Sequence, residues 1–164
     1  MNNLTISYFK NARSTEPTDV NLGAFLENKK HREKVLSVRN ATGDERNRLK
    51  KEVPAATISG TFKVRNIQGI KAYNGLVCLD FDGKDNPSLT PAEMKYLLAD
   101  YEEVAYAGLS VSGSGVFAII PTNNDDPSCH AKVVDILGAL FAEDGLIYDR
   151  ACKDVCRLRF ISFD

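Results

Sequence analysis

The stretch Gly75–Asp82, GLVCLDFD, decides how the chain is read. Leu76, Val77, Cys78 and Leu79 form a short apolar run, as a buried strand does. Two acids, Asp80 and Asp82, stand at its end. Downstream, Thr90-Pro91-Ala92-Glu93 places a hydroxyl cap, a proline at the first helical position and a glutamate at the third. That pattern predicts a helix to about Asp100. VAYAGLSVS (Val104–Ser112) reads as a strand, Gly113-Ser114-Gly115 as a turn and VFAIIP (Val116–Pro121) as the returning strand of a hairpin. A loop follows at Asn123–Pro127. Ser128–Phe141 carries Val133, Val134, Ile136, Leu137 and Leu140 at helical spacing, and Asp144-Gly145 closes it. CRLRFISF, from Cys156 to Phe163, is the last strand candidate.

The predicted order is strand, helix, strand, strand, helix, strand. It implies an α+β architecture with a ferredoxin-like, RRM-like βαββαβ sheet over residues 66–164. Residues 1–65 read as a smaller mixed lobe packed on it, within one domain over 1–164. Leu4–Phe9 predicts a strand. Asp19 is placed to cap a helix carrying Val20, Leu22, Phe25 and Leu26, and Lys29–Val38 reads as a second helix. Arg39–Asp44 reads as a turn, Glu45–Lys51 as a charged helix before Pro54, and Ala55–Val64, AATISGTFKV, as a strand with a glycine irregularity.

Composition narrows the function classes. Apolar residues make up 43 % of the 164 residues, enough for a core, and charged residues 26 %, so wholesale disorder is excluded. No apolar run approaches the roughly 18 residues of a membrane span, and the start has no signal-peptide pattern, so a cytoplasmic protein is expected. Four cysteines are too few for a disulfide framework. The net charge of −1 hides a segregation. Asn28–Arg65 holds 11 basic and 4 acidic residues (+7), Asn66–Asp164 holds 8 and 15 (−7), and the first 27 residues hold 2 and 3 (−1). A basic segment beside an acidic one suits a phosphate-binding patch beside a metal site, or a solvated helical face.

Asp80 and Asp82 lie two apart on a strand and so share a face. Paired acids repel each other and call for a cation, and Mg²⁺ or Mn²⁺ prefers carboxylate oxygen. The plainer alternative is a strand running out into solvent. Ser112-Gly113-Ser114-Gly115 could form an anion nest or an ordinary hairpin turn. Asp149 is a candidate third ligand, with Asp154 as its rival; it could equally pair with Arg150 or Lys153. Arg157 and Arg159 share a strand face suited to phosphate, or form a polar outer face alternating with Leu158 and Phe160. Cys78 reads as a packing residue and His130 as a surface residue at a helix start. The spacing Cys152-x-x-x-Cys156 does not suggest a closed zinc site.

LDFD, SVSGSGVFAII, IYD and CRLRFISFD together resemble the N-terminal domain of VirE-type proteins from bacterial mobile elements, which is similar to the archaeo-eukaryotic primase superfamily. The resemblance covers Ser59–Asp164 and extends loosely to the first lobe. It implies a primase-like fold in a DNA-replication protein. Asp80, Asp82 and Asp149 would hold Mg²⁺ or Mn²⁺ for nucleotidyl transfer. Ser112, Gly113, Ser114 and Gly115, with Arg157 and Arg159, would grip a nucleoside triphosphate. The basic residues Lys29, Lys30, Arg32, Arg46, Arg48, Lys50 and Lys51 would track DNA. A helicase- or ATPase-like region would follow residue 164. Phe117 stands where primases carry a histidine, and a phenyl ring cannot donate a hydrogen bond to a triphosphate. The resemblance therefore leaves two readings, a nucleotidyltransferase and a catalytically degenerate module that binds DNA or nucleotide. A third resemblance is to haloacid-dehalogenase-like phosphatases, in Asp80-Phe81-Asp82-Gly83. There the first acid would be the nucleophile and the second the general acid, but 79 residues precede the motif and Lys84 follows the glycine.

Overall fold

A computed structural model describes residues 4–164. Its strands are β1 (Thr5–Phe9), β2 (Thr18–Asn21), β3 (Ala55–Thr57), β4 (Gly60–Phe62), β5 (Ile70–Tyr73), β6 (Leu76–Asp82), β7 (Tyr106–Leu109), β8 (Gly115–Pro121) and β9 (Leu158–Phe160). Its α-helices are α1 (Leu22–Leu26), α2 (Arg32–Asn40), α3 (Gly43–Lys50), α4 (Pro91–Ala99) and α5 (His130–Ala142). The fold is mixed α+β with antiparallel sheets, and among the described residues no helix is long and apolar enough to cross a membrane.

β6 leads through α4 to β7, and β8 inserts between them antiparallel to both. This is the split β-α-β unit, and the hairpin β7–β8 is the expected one. Alternation along β6 explains the layers. Val77, Leu79 and Phe81 face α4 and α5, where Phe81 meets the Phe141 ring edge-on at 5.6 Å. Leu76 and Cys78 face the other lobe, against a core that includes Ile6, Val35, Val38, Ala56 and Ile161. Asp80 and Asp82 continue this second series. α4 starts as expected, with Thr90 Oγ1 accepting from the Glu93 amide and the Glu93 carboxylate accepting from the Thr90 amide.

The fourth strand departs from the ferredoxin-like expectation. β9 does not join β6. It pairs with β3 at the edge of the first sheet, whose order is β2-β1-β3-β9. The free edge of β6 is taken by the segment after α5, where the Asp149 amide donates to the Asp80 carbonyl at 2.7 Å and the Asp80 amide to Cys152 Sγ at 3.2 Å. A single 3₁₀ turn, Arg150–Lys153, follows there, so the edge offers no place for a strand. The lobes therefore do not divide at residue 65, because the first lobe's sheet borrows its edge from the chain's C-terminal end.

Three local readings are also corrected. Asp19 lies in β2 and binds Lys71 at 2.7 Å; the cap of α1 is Asn21, whose side chain accepts from the Ala24 amide at 3.0 Å. Val20 faces Ile6 across the sheet, which draws the segment into a strand. α2 runs through Asn40, and α3 begins at Gly43, inside the expected turn. The Ala55–Val64 segment breaks at Ile58-Ser59 into β3 and β4, which belong to different sheets. At Gly60 the Ala72 carbonyl occupies the space a side chain would need, so the β4–β5 pair closes only on a glycine.

Candidate functional site

The two lobes meet over a cleft of about 490 Å³. Lys50 and Lys51 reach it from the end of α3 and Arg65 from the segment after β4. Arg157 and Arg159 come from β9 and its approach, Asp80 from β6, and Asp154 from the turn before β9. Five cations thus face two acids at the wall.

Arg159 is the most constrained of these residues. It is 4 % exposed, and its Nη1 donates to Asp80 Oδ1. Its guanidinium lies 4.6 Å from the centre of the Phe117 ring, and its Nε is buried without a hydrogen-bond partner. The register explains the cluster. Phe117 stands directly opposite Asp80 in the β6–β8 pair, and Ala56 opposite Arg159 in the β3–β9 pair. Directly opposed residues share a face, so the phenyl ring supplies a stacking surface and the small alanine leaves room for the guanidinium. The expected alternation on β9 is inverted, with Arg159 buried while Leu158 and Phe160 are half-buried.

Asp149 hangs on the same scaffold. Its Oδ1 accepts from the Ala151 amide at 2.9 Å and its Oδ2 from Arg157 Nη2 at 2.7 Å. Asn86, which is buried, fixes the segment just upstream. Its Nδ2 donates to the carbonyls of Asp82 and Ile147, and its Oδ1 accepts from the Ile147 amide. This staple ties the loop after β6 to the chain bearing Asp149. Asp82 is half-exposed, with Lys84 Nζ at 4.0 Å.

Burial pushes the Lys50 ammonium below its ordinary range. Arg159 and Arg157 add to that push, and Asp82 and Asp149 oppose it. Its Nζ lies 5.2 Å from the Phe160 ring centre. Burial likewise pushes the Cys78 thiol up to about 11, as suits a packing residue.

The structure brings some predicted residues together and separates others. Asp80, Arg157, Arg159, Lys50 and Lys51 share the cleft, and Asp149 joins it through Arg157. Ser112, Gly113, Ser114 and Gly115 turn at the acid end of β6, where the Gly83 amide donates to the Ser114 carbonyl at 3.1 Å, but they are not among the residues lining the cleft. The hydroxyls of Ser110, Ser112 and Ser114 follow one another at 3.0 Å, and Gly113 turns with φ +73° under the Arg39 side chain. Lys29 and Lys30 are exposed away from the cleft. Arg32 stacks on Phe163 at 4.4 Å, Arg46 binds the Ala41 carbonyl, and Arg48 pairs with Glu45. Arg65 and Asn86 were missed by sequence reading, because neither belongs to a motif and only the tertiary approach gives them partners. His130 is corrected from surface to core. It is 2 % exposed, with Nδ1 3.0 Å from Tyr73 Oη.

The carboxylates are the oxygen donors that Mg²⁺ or Mn²⁺ prefers. In this arrangement, however, Asp80 is taken by Arg159 and Asp149 by Arg157. Among the described residues no three His, Cys, Asp or Glu side chains are grouped to hold a metal ion. Guanidinium groups provide the compensating charge, and the acids as they stand do not fit a resident metal. The strands around Asp80-Phe81-Asp82-Gly83 form a hairpin sheet rather than repeated β-α-β units.

Comparison with known proteins places the chain. No curated protein and no solved structure matches it. The sequence model of the BT4734-like N-terminal domain matches residues 48–164, a span that takes in β3 to β9 and every charged residue lining the cleft. The chain thus belongs to the BT4734-like N-terminal domain family.

Proposed function

We propose that this domain binds nucleotide and nucleic acid in the cleft between its lobes, as the primase-polymerase-like domain of a mobile-element replication protein. One observation carries the reading: Lys50, Lys51, Arg65, Arg157 and Arg159 converge on a single cleft from three separate segments. Converging guanidinium and ammonium groups are the chemistry of phosphate recognition. The volume of about 490 Å³ is of the size that holds a small ligand such as a nucleoside triphosphate. The split β-α-β sheet, with Asp80 and Asp82 on one face, agrees with the primase-like resemblance. Phe117 opposite Asp80 favours binding without turnover, since its ring is occupied by Arg159.

Nucleotidyl transfer is the second reading. It is favoured by the hydrogen bond from the Asp149 amide to the Asp80 carbonyl, which sets the three acids on neighbouring backbone. It requires Asp80 to leave Arg159.

Titration of a fluorescent single-stranded DNA oligonucleotide tests the primary reading. Affinity should fall with salt, with a log–log slope of about −0.7 for each phosphate contacted. The Lys50→Ala/Lys51→Ala variant should weaken binding and make the slope shallower by about one to two contacts. Salt-independent binding, or a variant that binds as wild type does, would overturn the assignment to this cleft.

A further inference from the structure

Four consecutive residues of β9 and its approach, Arg157, Leu158, Arg159 and Phe160, line the cleft. The face of a strand presents alternate residues only, so this lining is a strand edge. β9 stands at the end of its sheet, with β3 on one side and no strand on the other. The Ile161 amide donates to the Pro54 carbonyl at 2.9 Å, and Ala56 stands opposite Arg159. Bonding alternates along an antiparallel pair, so Arg159 bonds β3 while Leu158 and Phe160 turn their amides and carbonyls to the free side. Among the described residues no group hydrogen-bonds to these four. The rim beside them is cationic. Lys50, Lys51 and Arg65 have no carboxylate partner among the described residues, whereas Arg157 and Arg159 are already paired with Asp149 and Asp80.

We propose that the free edge of β9 takes an extended acidic peptide as an added strand of the first sheet, a protein-docking surface inside the cleft. An added strand satisfies donors and acceptors together, which is how extended peptides dock on sheet edges. A phosphate would accept from the two amides but would meet the two carbonyl oxygens as like charge, so the edge itself favours a peptide backbone. Side chains select the peptide. Carboxylates meet the three unpaired cations, and apolar side chains meet Leu158 and Phe160, which are only half-buried. β9 is three residues long, so its backbone pairing is short and the complementary charge supplies the selection. The proposal does not rest on nucleic acid binding in this cleft. The two ligands would draw on the same lysines and exclude each other.

Amide hydrogen exchange followed by NMR, with a short end-blocked peptide of alternating glutamate and valine as the probe, tests the edge directly. On peptide addition, exchange should slow about tenfold or more at Leu158 and Phe160 and change little at Arg159, whose amide β3 already holds. The same peptide N-methylated throughout should bind about tenfold more weakly, the scale of the backbone hydrogen bonds lost. Lys51→Glu, at an exposed position, should weaken the unmodified peptide about fivefold. An N-methylated peptide that binds as tightly, or protection that does not alternate along β9, would mean charge attraction without strand addition and overturn the proposal. A peptide that fails to bind while a single-stranded oligonucleotide binds would also overturn it, and would leave the nucleic-acid reading standing. Alternating protection by the peptide with no binding of the oligonucleotide would support the edge and sink that reading instead.

Discussion

Arg159 is the residue on which the two lobes agree. Its backbone belongs to the first sheet, its charge is met by Asp80 of the second, and its planar face rests on Phe117. Removing one partner of such a pair leaves the other buried and uncompensated, at a cost of about 3–5 kcal/mol. Asp80→Ala should therefore lower the unfolding free energy by that amount in urea titrations. The double variant Asp80→Leu/Arg159→Met, which replaces both charges by apolar groups, should recover most of the loss. A double variant as unstable as the single one would mean that the pair is not the source. Asn86 works by the same logic with neutral groups. Its three hydrogen bonds tie the loop after β6 to the segment that carries Asp149, and two of them satisfy both backbone groups of Ile147.

Among the elements, α5 illustrates how packing overrides propensity. Gly138 lies in the middle of this helix, where alanine would be favoured by about 1 kcal/mol. A methyl group there would run into the ring of Tyr148, which is tied to Asp135 by a 2.8 Å hydrogen bond. Overpacking costs about 1–3 kcal/mol, so the steric term should win. Gly138→Ala is expected to lower the melting temperature, and in a Tyr148→Ala background the same substitution should raise it. The sign reversal in this double-mutant cycle isolates the ring contact. α4, by contrast, follows its local code. Thr90, Pro91 and Glu93 form the start of a helix whatever lies beneath it, and Met94 and Leu98 then face the core.

At the scale of the whole molecule, His130 joins three parts. It begins α5, its ring meets Tyr73 of β5, and a backbone hydrogen bond at Cys152 ties it to the turn that follows Asp149. Burial holds its pKa below the ordinary 6.5, against the opposing effects of the Cys152 hydrogen bond and Asp154. The sign follows from linkage. Between the lowered folded value and 6.5 the unfolded chain binds a proton that the folded one refuses, so stability rises with pH across that window. Above 6.5 the contribution is complete, and it is lost as the pH falls toward the folded value. Chemical unfolding measured from pH 7.5 down to 5 should show this decline. His130→Gln should flatten it, leaving the weaker contribution of His31, which is lowered by partial burial, Lys34 and Lys30. An unchanged slope in the variant would remove His130 as its origin.

Much of the second lobe was legible along the chain. The apolar run ending in Asp80 and Asp82, the Thr90 capping box, the glycine turn of the hairpin and the helical spacing of Val133, Val134 and Leu137 are local signals, and local physics reads them in order. The antiparallel insertion of β8 between β6 and β7 agrees with that reading. Partner choice was not legible. A strand's sequence states which faces are apolar but not which edge it will join, and β9 joins β3 because the Asp149–Lys153 segment has already closed the edge of β6. The same holds for the site. Asp80, Asp149, Arg157 and Arg159 were recognisable as charged residues with chemistry to perform, but sequence spacing carries no distance between remote segments. Only the tertiary approach of β9 to β6 sets acid against arginine, buries one pair, and adds Arg65 from a segment with no motif to announce it. Residue types along the chain determined what kinds of group the cleft contains; long-range packing decided which of them neutralise one another, because an ion pair depends on separation in space.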